Sequence, residues 1–529
     1  MLFLFFMRIY FSYVFKFDII NFGMIKNIIL KLLFFIFACI HFFIVCKYML
    51  PFREMYNITQ KSVYISASIT GFIILTIFYQ LILCTIKAFI EKNKSAVDFT
   101  KYTVFYFLLS LIFFVLTKPY SLSFHDCYYI IPYTDFYSVN WFQNLIANML
   151  FIFPKYFYPS VFSTSIFCSF IYSLIFGYCS FNLKNKFPRL HFLAIIFFCL
   201  PMLLLFSLVQ YTQVFASYLL CFILFYIYFN EDKNNKSLST AILFGFVSAI
   251  LIFIRLENIS LIIILPLIVY LMKIFNKSSF IVYCLSVVMV FTPLFIVQKY
   301  NINMNYELHN LSFIFDSYKR ANMPLTEYNN NKKIFQTVFP LIKETRNRDV
   351  FGQKIVTNDA KAARKARHLM FIMILKHPVK LIKYNIIKIN EQIKHNDYLN
   401  VKLSTSRYDG DKTNYWMENI KYLKFKNKFI SLCIYLNPNF KSTVINKKLY
   451  NPVNYTIFIF LCFLYGIIRR NKYFVLTSLF LTFIMVQMLL LMPIFQFFYF
   501  YPVIFTSPLL FLLMMFSIIN DISFLRENN

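Results

Sequence analysis

The chain has 529 residues, of which 60% are hydrophobic, 21% aromatic and only 14% charged. No single soluble core hides that much apolar surface, so an ordinary water-soluble domain is excluded and a lipid bilayer is the expected solvent. The formal charge of +31, from 53 Lys and Arg against 22 Asp and Glu, does not point to nucleic acid, because the basic residues cluster at the ends of apolar runs. There they anchor helices against lipid phosphates.

The 71 phenylalanines and 39 tyrosines against seven glycines fit the coding bias of an AT-rich genome, which accounts for much of the aromatic content without invoking function. Most of the 11 cysteines, among them Cys39, Cys84, Cys168, Cys199, Cys221, Cys284 and Cys462, lie inside apolar stretches as small hydrophobes. No CxxC spacing occurs, so the sequence offers neither a zinc site nor a redox motif.

Residues Met1 to Phe17 are apolar but broken by Arg8 and Lys16, with no basic start and no small-residue cleavage site. They do not read as a signal peptide. Met24, followed by Ile-Lys-Asn and the apolar run from Ile28, makes a more ordinary beginning, and translation is expected to start there.

Apolar runs of sufficient length predict about twelve transmembrane helices. They lie near Ile28–Cys46, Val63–Leu83, Tyr102–Leu116, Val161–Tyr178, Leu190–Leu208, Val214–Phe229, Thr240–Ile254, Ile259–Met272, Phe280–Val297, Tyr455–Ile468, Phe474–Leu490 and Phe500–Ile518. The short loops carrying Lys87, Lys92, Lys94 and Lys101, then Lys184, Lys186 and Arg189, Lys233 and Lys236, Lys273 and Lys277, and Arg469, Arg470 and Lys472 all fall on one side in this scheme. The excess of positive charge makes that side cytoplasmic, with both termini, in a multi-pass cell (inner) membrane protein.

The organisation that follows has four parts: 1–101, an N-terminal extension with two spans; 102–300, a transmembrane core whose first outer loop is 118–160; 301–454, a small outer-face domain; and 455–529, the last spans. The first outer loop holds an aromatic, partly amphipathic stretch, Phe136–Phe153, that could lie along the interface. Residues 301–454 form the one large polar block, long enough for a small domain. Within it Asp359–Asn390 has helical spacing, with Pro378 marking a break between two helices.

Ionisable groups near the membrane are costly, so the few present carry the functional inference. Asp126, in Ser-Phe-His-Asp-Cys-Tyr-Tyr, opens the first outer loop beside His125. A carboxylate there can take a proton from an acceptor hydroxyl or hold a metal. Asp135 is a second candidate; the plain alternative for both is a solvated loop acid capping a short helix. Arg255 and Glu257 are squeezed between two apolar spans in Gly245-Phe-Val-Ser-Ala-Ile-Leu-Ile-Phe-Ile-Arg255-Leu-Glu257-Asn258. A guanidinium at that depth can grip a phosphate bidentately, or the two charges can pair and simply turn the chain.

A glycine-bearing span, a tight Arg-x-Glu turn and a further span ending in Leu265-Pro266 resemble a recurrent segment of polytopic GT-C-fold glycosyltransferases, the group that includes protein O-mannosyltransferases and the aminoarabinose transferase of lipid A. Phe371-Ile-Met-Ile-Leu-Lys-His377-Pro378 resembles the helix, His/Asn-Pro, helix segment before their last spans. Gln496-Phe-Phe-Tyr499-Phe-Tyr501-Pro502 is similar to their Arg-Tyr-x-x-Pro element, with Gln496 where a basic residue is common. Asp126 stands where that family places its catalytic acid, although His125 and Cys127 flank it in place of a second acid.

The resemblance implies an all-α, GT-C-like integral membrane protein that moves a sugar from a polyprenyl-phosphate carrier to a glycan, lipid or protein acceptor on the outer face. Asp126, with Asp135, would be catalytic, acting as general base or through a divalent metal, Mg or Mn. Arg255, His125, Glu257, Lys155, Gln496 and Tyr499 would bind substrate. The basic run holding Arg364, Lys365 and Arg367 offers further phosphate contacts, or is a solvated helix face. Other classes stay open: a transporter or lipid flippase, an envelope polysaccharide polymerase or ligase, or an assembly protein without chemistry.

Overall fold

The structure, a computed structural model, describes residues 32–33, 35–43, 72, 79, 94–117, 154, 163–200, 203–204, 207–208, 212–235, 237–255, 258, 260–301, 375–394, 451–491 and 500–527. Among these residues the regular structure is helical, apart from an isolated bridge between Asn235 and Phe275. In chain order the elements are α1 (Lys94–Thr117), α2 (Ser163–Lys186), α3 (His191–Phe198), α4 (Thr212–Asn230), α5 (Leu238–Phe253), α6 (Leu261–Leu271), α7 (Lys277–Asn301), α8 (Pro378–Lys394), α9 (Thr456–Ile468, entered through the 3-10 turn Pro452–Tyr455), α10 (Lys472–Leu491) and α11 (Tyr501–Glu527).

Among the described residues, five helical segments, Lys94–Val115, Ser165–Lys186, Thr212–Asn230, Lys472–Leu490 and Tyr501–Ile522, are long and apolar enough to cross a bilayer. Helix α4 is the axis of the bundle, with every side chain from Thr212 to Tyr228 buried. Peripheral helices instead turn apolar stripes outward. On α1 these are Val104, Phe105, Leu108, Ile112 and Val115, and on α7 Ile281, Leu285, Val288 and Met289. Such stripes at helical spacing would be a liability in water but lie at no cost against acyl chains. A helical protein of this kind suits a lipid bilayer.

Glycine marks the tightest helix crossings. A Cβ on Gly177 would overlap Thr103 Oγ1 and come within 3.1 Å of the Thr103 backbone, so α1 and α2 touch main chain to main chain. On Gly245 it would meet Ser286 Cβ at 2.7 Å and Tyr283 O at 2.8 Å, between α5 and α7. On Gly466 it would meet Val475 N at 2.8 Å, between α9 and α10. Small residues at crossings are how apolar helices gain contact where lipid supplies no hydrophobic drive.

The basic loops gather at one end. Lys184 donates to Asp98 Oδ2 at 3.0 Å, setting the start of α1 beside the end of α2. Lys186 lies 3.8 Å above the Tyr228 ring near the end of α4, and the Tyr228 and Ser517 hydroxyls are 3.2 Å apart, which brings in α11. Arg469 pairs with Asp521 at 2.9 Å. The α4–α5 and α6–α7 loops zip together through their backbones, with Asp232 N to Met272 O at 3.1 Å and Asn235 N to Ile274 O at 2.9 Å.

Two of these turns use a left-handed residue where glycine is usual. At Lys273 (φ 48°) and Arg470 (φ 52°) the next residue's N–H reaches back five positions, Ile274 to Val269 O and Asn471 to Gly466 O. The 273 and 470 amides reach back three, to Tyr270 O and Ile467 O. Both are Schellman closures with a basic side chain at C′.

One predicted span is interrupted. The run Leu190–Leu208 reads as continuous, but α3 ends at Phe198, ahead of Pro201, which has no N–H to donate and disfavours helix in the residue before it. Tyrosine hydroxyls bond carbonyls on both sides of the break. Tyr172 Oη donates to Phe198 O at 2.6 Å and Tyr218 Oη to Leu203 O at 3.2 Å. The remaining described helices overlap the predicted runs, but α1 starts eight residues earlier and takes in Lys94 and Lys101, α2 ends eight residues later and takes in Lys184 and Lys186, and α11 runs nine residues further. The predicted span Val63–Leu83 lies outside the described residues apart from positions 72 and 79. Pro378 opens α8 at its first position, as expected.

Candidate functional site

Opposite the basic end, polar side chains converge where the apolar helices begin and stop. The order of the helices requires it: α4 and α11 start there, and α5 and α10 finish there. Helix α5 ends at Phe253, and Arg255 occupies the turn that leads through Asn258 and Ser260 into α6. Asn258 N donates to Arg255 O at 3.1 Å, and Asn258 Nδ2 reaches back to Leu251 O at 2.9 Å. The turn is therefore fixed from both sides, holding the half-buried Arg255 in place.

Arg255 Nη1 donates to Thr212 Oγ1 at 3.2 Å, and Thr212 Oγ1 donates to Gln213 Oε1 at 3.1 Å. The relay stops at Gln213 Nε2, which is buried without a hydrogen-bond partner in a residue only 3% exposed. A buried amide donor left unused costs roughly 1–3 kcal/mol. Two helix ends shape the local field: the carbonyl end of α5 favours the guanidinium, and the amide end of α4 adds partial positive charge beside it. The unused Gln213 donor beside the guanidinium suits an oxygen-rich anion.

The polar belt continues across α10. Ser260 Oγ donates to Gln487 Oε1. Two residues further along α10, Leu489 O accepts from Asn385 Nδ2 of α8 at 2.6 Å. Asn385 thus satisfies one of the carbonyls that α10 leaves open at its end, while its own Oδ1 stays buried and unbonded.

Of the residues singled out from the sequence, Arg255 is placed in this belt. Asp126, Asp135, His125, Lys155, Glu257, Gln496 and Tyr499 lie outside the described residues, as do Arg364, Lys365, Arg367 and Met24. The belt adds Thr212, Gln213, Asn258, Gln487 and Asn385, which sequence reasoning missed. Gln213 and Gln487 carried a usable signal, since an amide inside an otherwise apolar run must find a partner within the bundle. Among the described residues no group of three or more His, Cys, Asp or Glu could hold a metal ion.

The fold and the belt define a class, a polytopic helical bundle with a buried polar cluster at the end opposite its basic loops. No family, no curated protein and no solved structure matches the chain.

Proposed function

We propose that the chain is a GT-C-like membrane glycosyltransferase that moves a sugar from a polyprenyl-phosphate carrier to an envelope glycan, lipid or protein acceptor on the outer face. The basic end faces the cytoplasm and the Arg255 belt faces outward. One observation carries the reading: a half-buried guanidinium, held by Thr212 and adjoined by the unused Gln213 amide, stands at the end of the apolar bundle away from the basic loops. A diphosphate or phosphate leaving group at the membrane edge needs such donors as its charge develops. Asp126 serves as general base on the acceptor hydroxyl, or binds a divalent metal there.

The test is a pair of substitutions. Arg255→Ala is expected to lower transfer by about 10²-fold, and Asp126→Asn to abolish it, while both proteins insert and run normally in detergent. Full activity in either variant removes that residue from its assigned role.

A second reading, transporter or flippase, draws on the interruption after Phe198, since discontinuous helices inside a bundle commonly frame substrate sites. Here Tyr172 and Tyr218 occupy carbonyls on either side of the interruption, and we favour the transferase.

A further inference from the structure

We infer that α8 is a membrane-surface helix whose second apolar side lies in the outer leaflet of the bilayer, tying the outer-face domain to the lipid. One side of α8 is fixed to the bundle: Leu381 is fully buried, Asn385 bonds the end of α10, and Ile382 and Ile386 pack on the core. The other side is exposed among the described residues. Val379 is 74% exposed and Ile387 47%, and Leu375, in the turn before the helix, is 63% exposed. The residues are four and eight positions apart, and Lys380 and Lys383 are exposed beside them.

The occupant of that side follows from where the helix sits. Its anchor, Leu489, is in the last turns of Lys472–Leu490, a segment apolar and long enough to span, so α8 meets the bundle at the level where the acyl region gives way to headgroups. Apolar side chains exposed at that level face acyl chains. Lysines alongside them lift their ammonium groups to lipid phosphates while their stems stay apolar. A helix built this way lies on the membrane rather than crossing it, as expected for a segment with strong amphipathicity and too few apolar residues in sequence to span.

The inference rests on α10 spanning the bilayer, and the experiment separates the two. Tryptophan is introduced in turn at Val379→Trp, Ile387→Trp, Leu479→Trp and Lys233→Trp, and the added fluorescence is measured in vesicles of phosphatidylglycerol and phosphatidylethanolamine with and without brominated acyl chains. Positions 379 and 387 are exposed, so the substitutions leave the packing intact. Leu479, 51% exposed in the middle of α10, reports on the span, and Lys233, exposed on a loop, reports on water.

Bromine near the glycerol end of the chains should quench 379 and 387 at least about twofold, while water-borne acrylamide reaches them far less than it reaches 233. Acrylamide quenching of 379 equal to that of 233, with no response to bromine, would overturn the inference while a bromine-quenched 479 leaves the span standing. Protection of 379 from both quenchers would overturn it in favour of a protein contact, such as a second copy. An unquenched 479 would remove the span and the inference together.

Discussion

Gly177→Ala is the sharpest test of the packing. The new methyl would overlap Thr103 Oγ1 and sit 3.1 Å from Thr103 N and Cα. Rotation of Thr103 to its other helical rotamer moves Oγ1 but does not clear the clash, because the Thr103 backbone atoms stay at 3.1 Å. The helices must part by a few tenths of an ångström, and overpacking of this kind costs about 1–3 kcal/mol. Alanine returns nearly 1 kcal/mol of helix propensity, so from the middle of that range a net loss of roughly 1 kcal/mol is expected.

Thr103→Ala should rescue it. Thr103 Oγ1 is buried and makes no hydrogen bond, so its removal is neutral or mildly stabilising and clears the worst overlap. Unfolding in mixed micelles by a denaturing detergent measures all four states of the cycle. The double variant should regain at least half of the loss, a coupling of about 1 kcal/mol. A Gly177→Ala protein as stable as the parent, or strictly additive effects, would refute the close approach of α1 and α2.

Tyr172→Phe should lower stability by about 1–3 kcal/mol, because the Phe198 carbonyl would stay buried without its donor; thermal unfolding in detergent reads it, and no change would mean that the α3 end is solvated. Lys273→Gly should stabilise the protein by about 1 kcal/mol by removing left-handed strain from a Cβ-bearing residue, measured the same way. Burial, with Asp232 beside it, holds the Glu231 carboxyl above its usual range against the pull of Lys186 and Lys472. Its folded pKa being raised, the stability that protonation confers is present below the ordinary carboxylate pKa and lost as pH rises through the folded value. Glu231→Gln should therefore gain on the parent in melting temperature at neutral pH and lose that gain below about pH 4; a pH-independent difference contradicts the assignment.

Much of the helical framework was legible from apolar runs, because burial in lipid and burial in protein demand the same residues. The positions of α1, α2, α4 to α7 and α9 to α11 follow from it, and the Lys and Arg loops indicated which helix ends lie together. Pro378 marked the start of α8 for a local reason, its missing N–H. The interruption after Phe198 was harder to read, since Pro201 sits within a run as apolar as any span and the hydroxyls that stabilise it come from Tyr172 and Tyr218, distant in sequence. The left-handed turns at Lys273 and Arg470 left no mark, because the residues there are not glycine. At the site, Arg255 stood out by its charge and Gln213 and Gln487 by their amides inside apolar runs, while Asn385 lies in a polar stretch where only the partner that the fold brings to it marks it.

The proposed activity is tested most directly by the lipid-linked sugar pool of a strain lacking this chain. Mass spectrometry of polyprenyl-phosphate sugars and envelope glycans should show one phosphosugar accumulating and one sugar missing from the envelope, both restored by the parent chain and by neither Arg255→Ala nor Asp126→Asn. An unchanged carrier pool with intact envelope glycans would contradict the transferase.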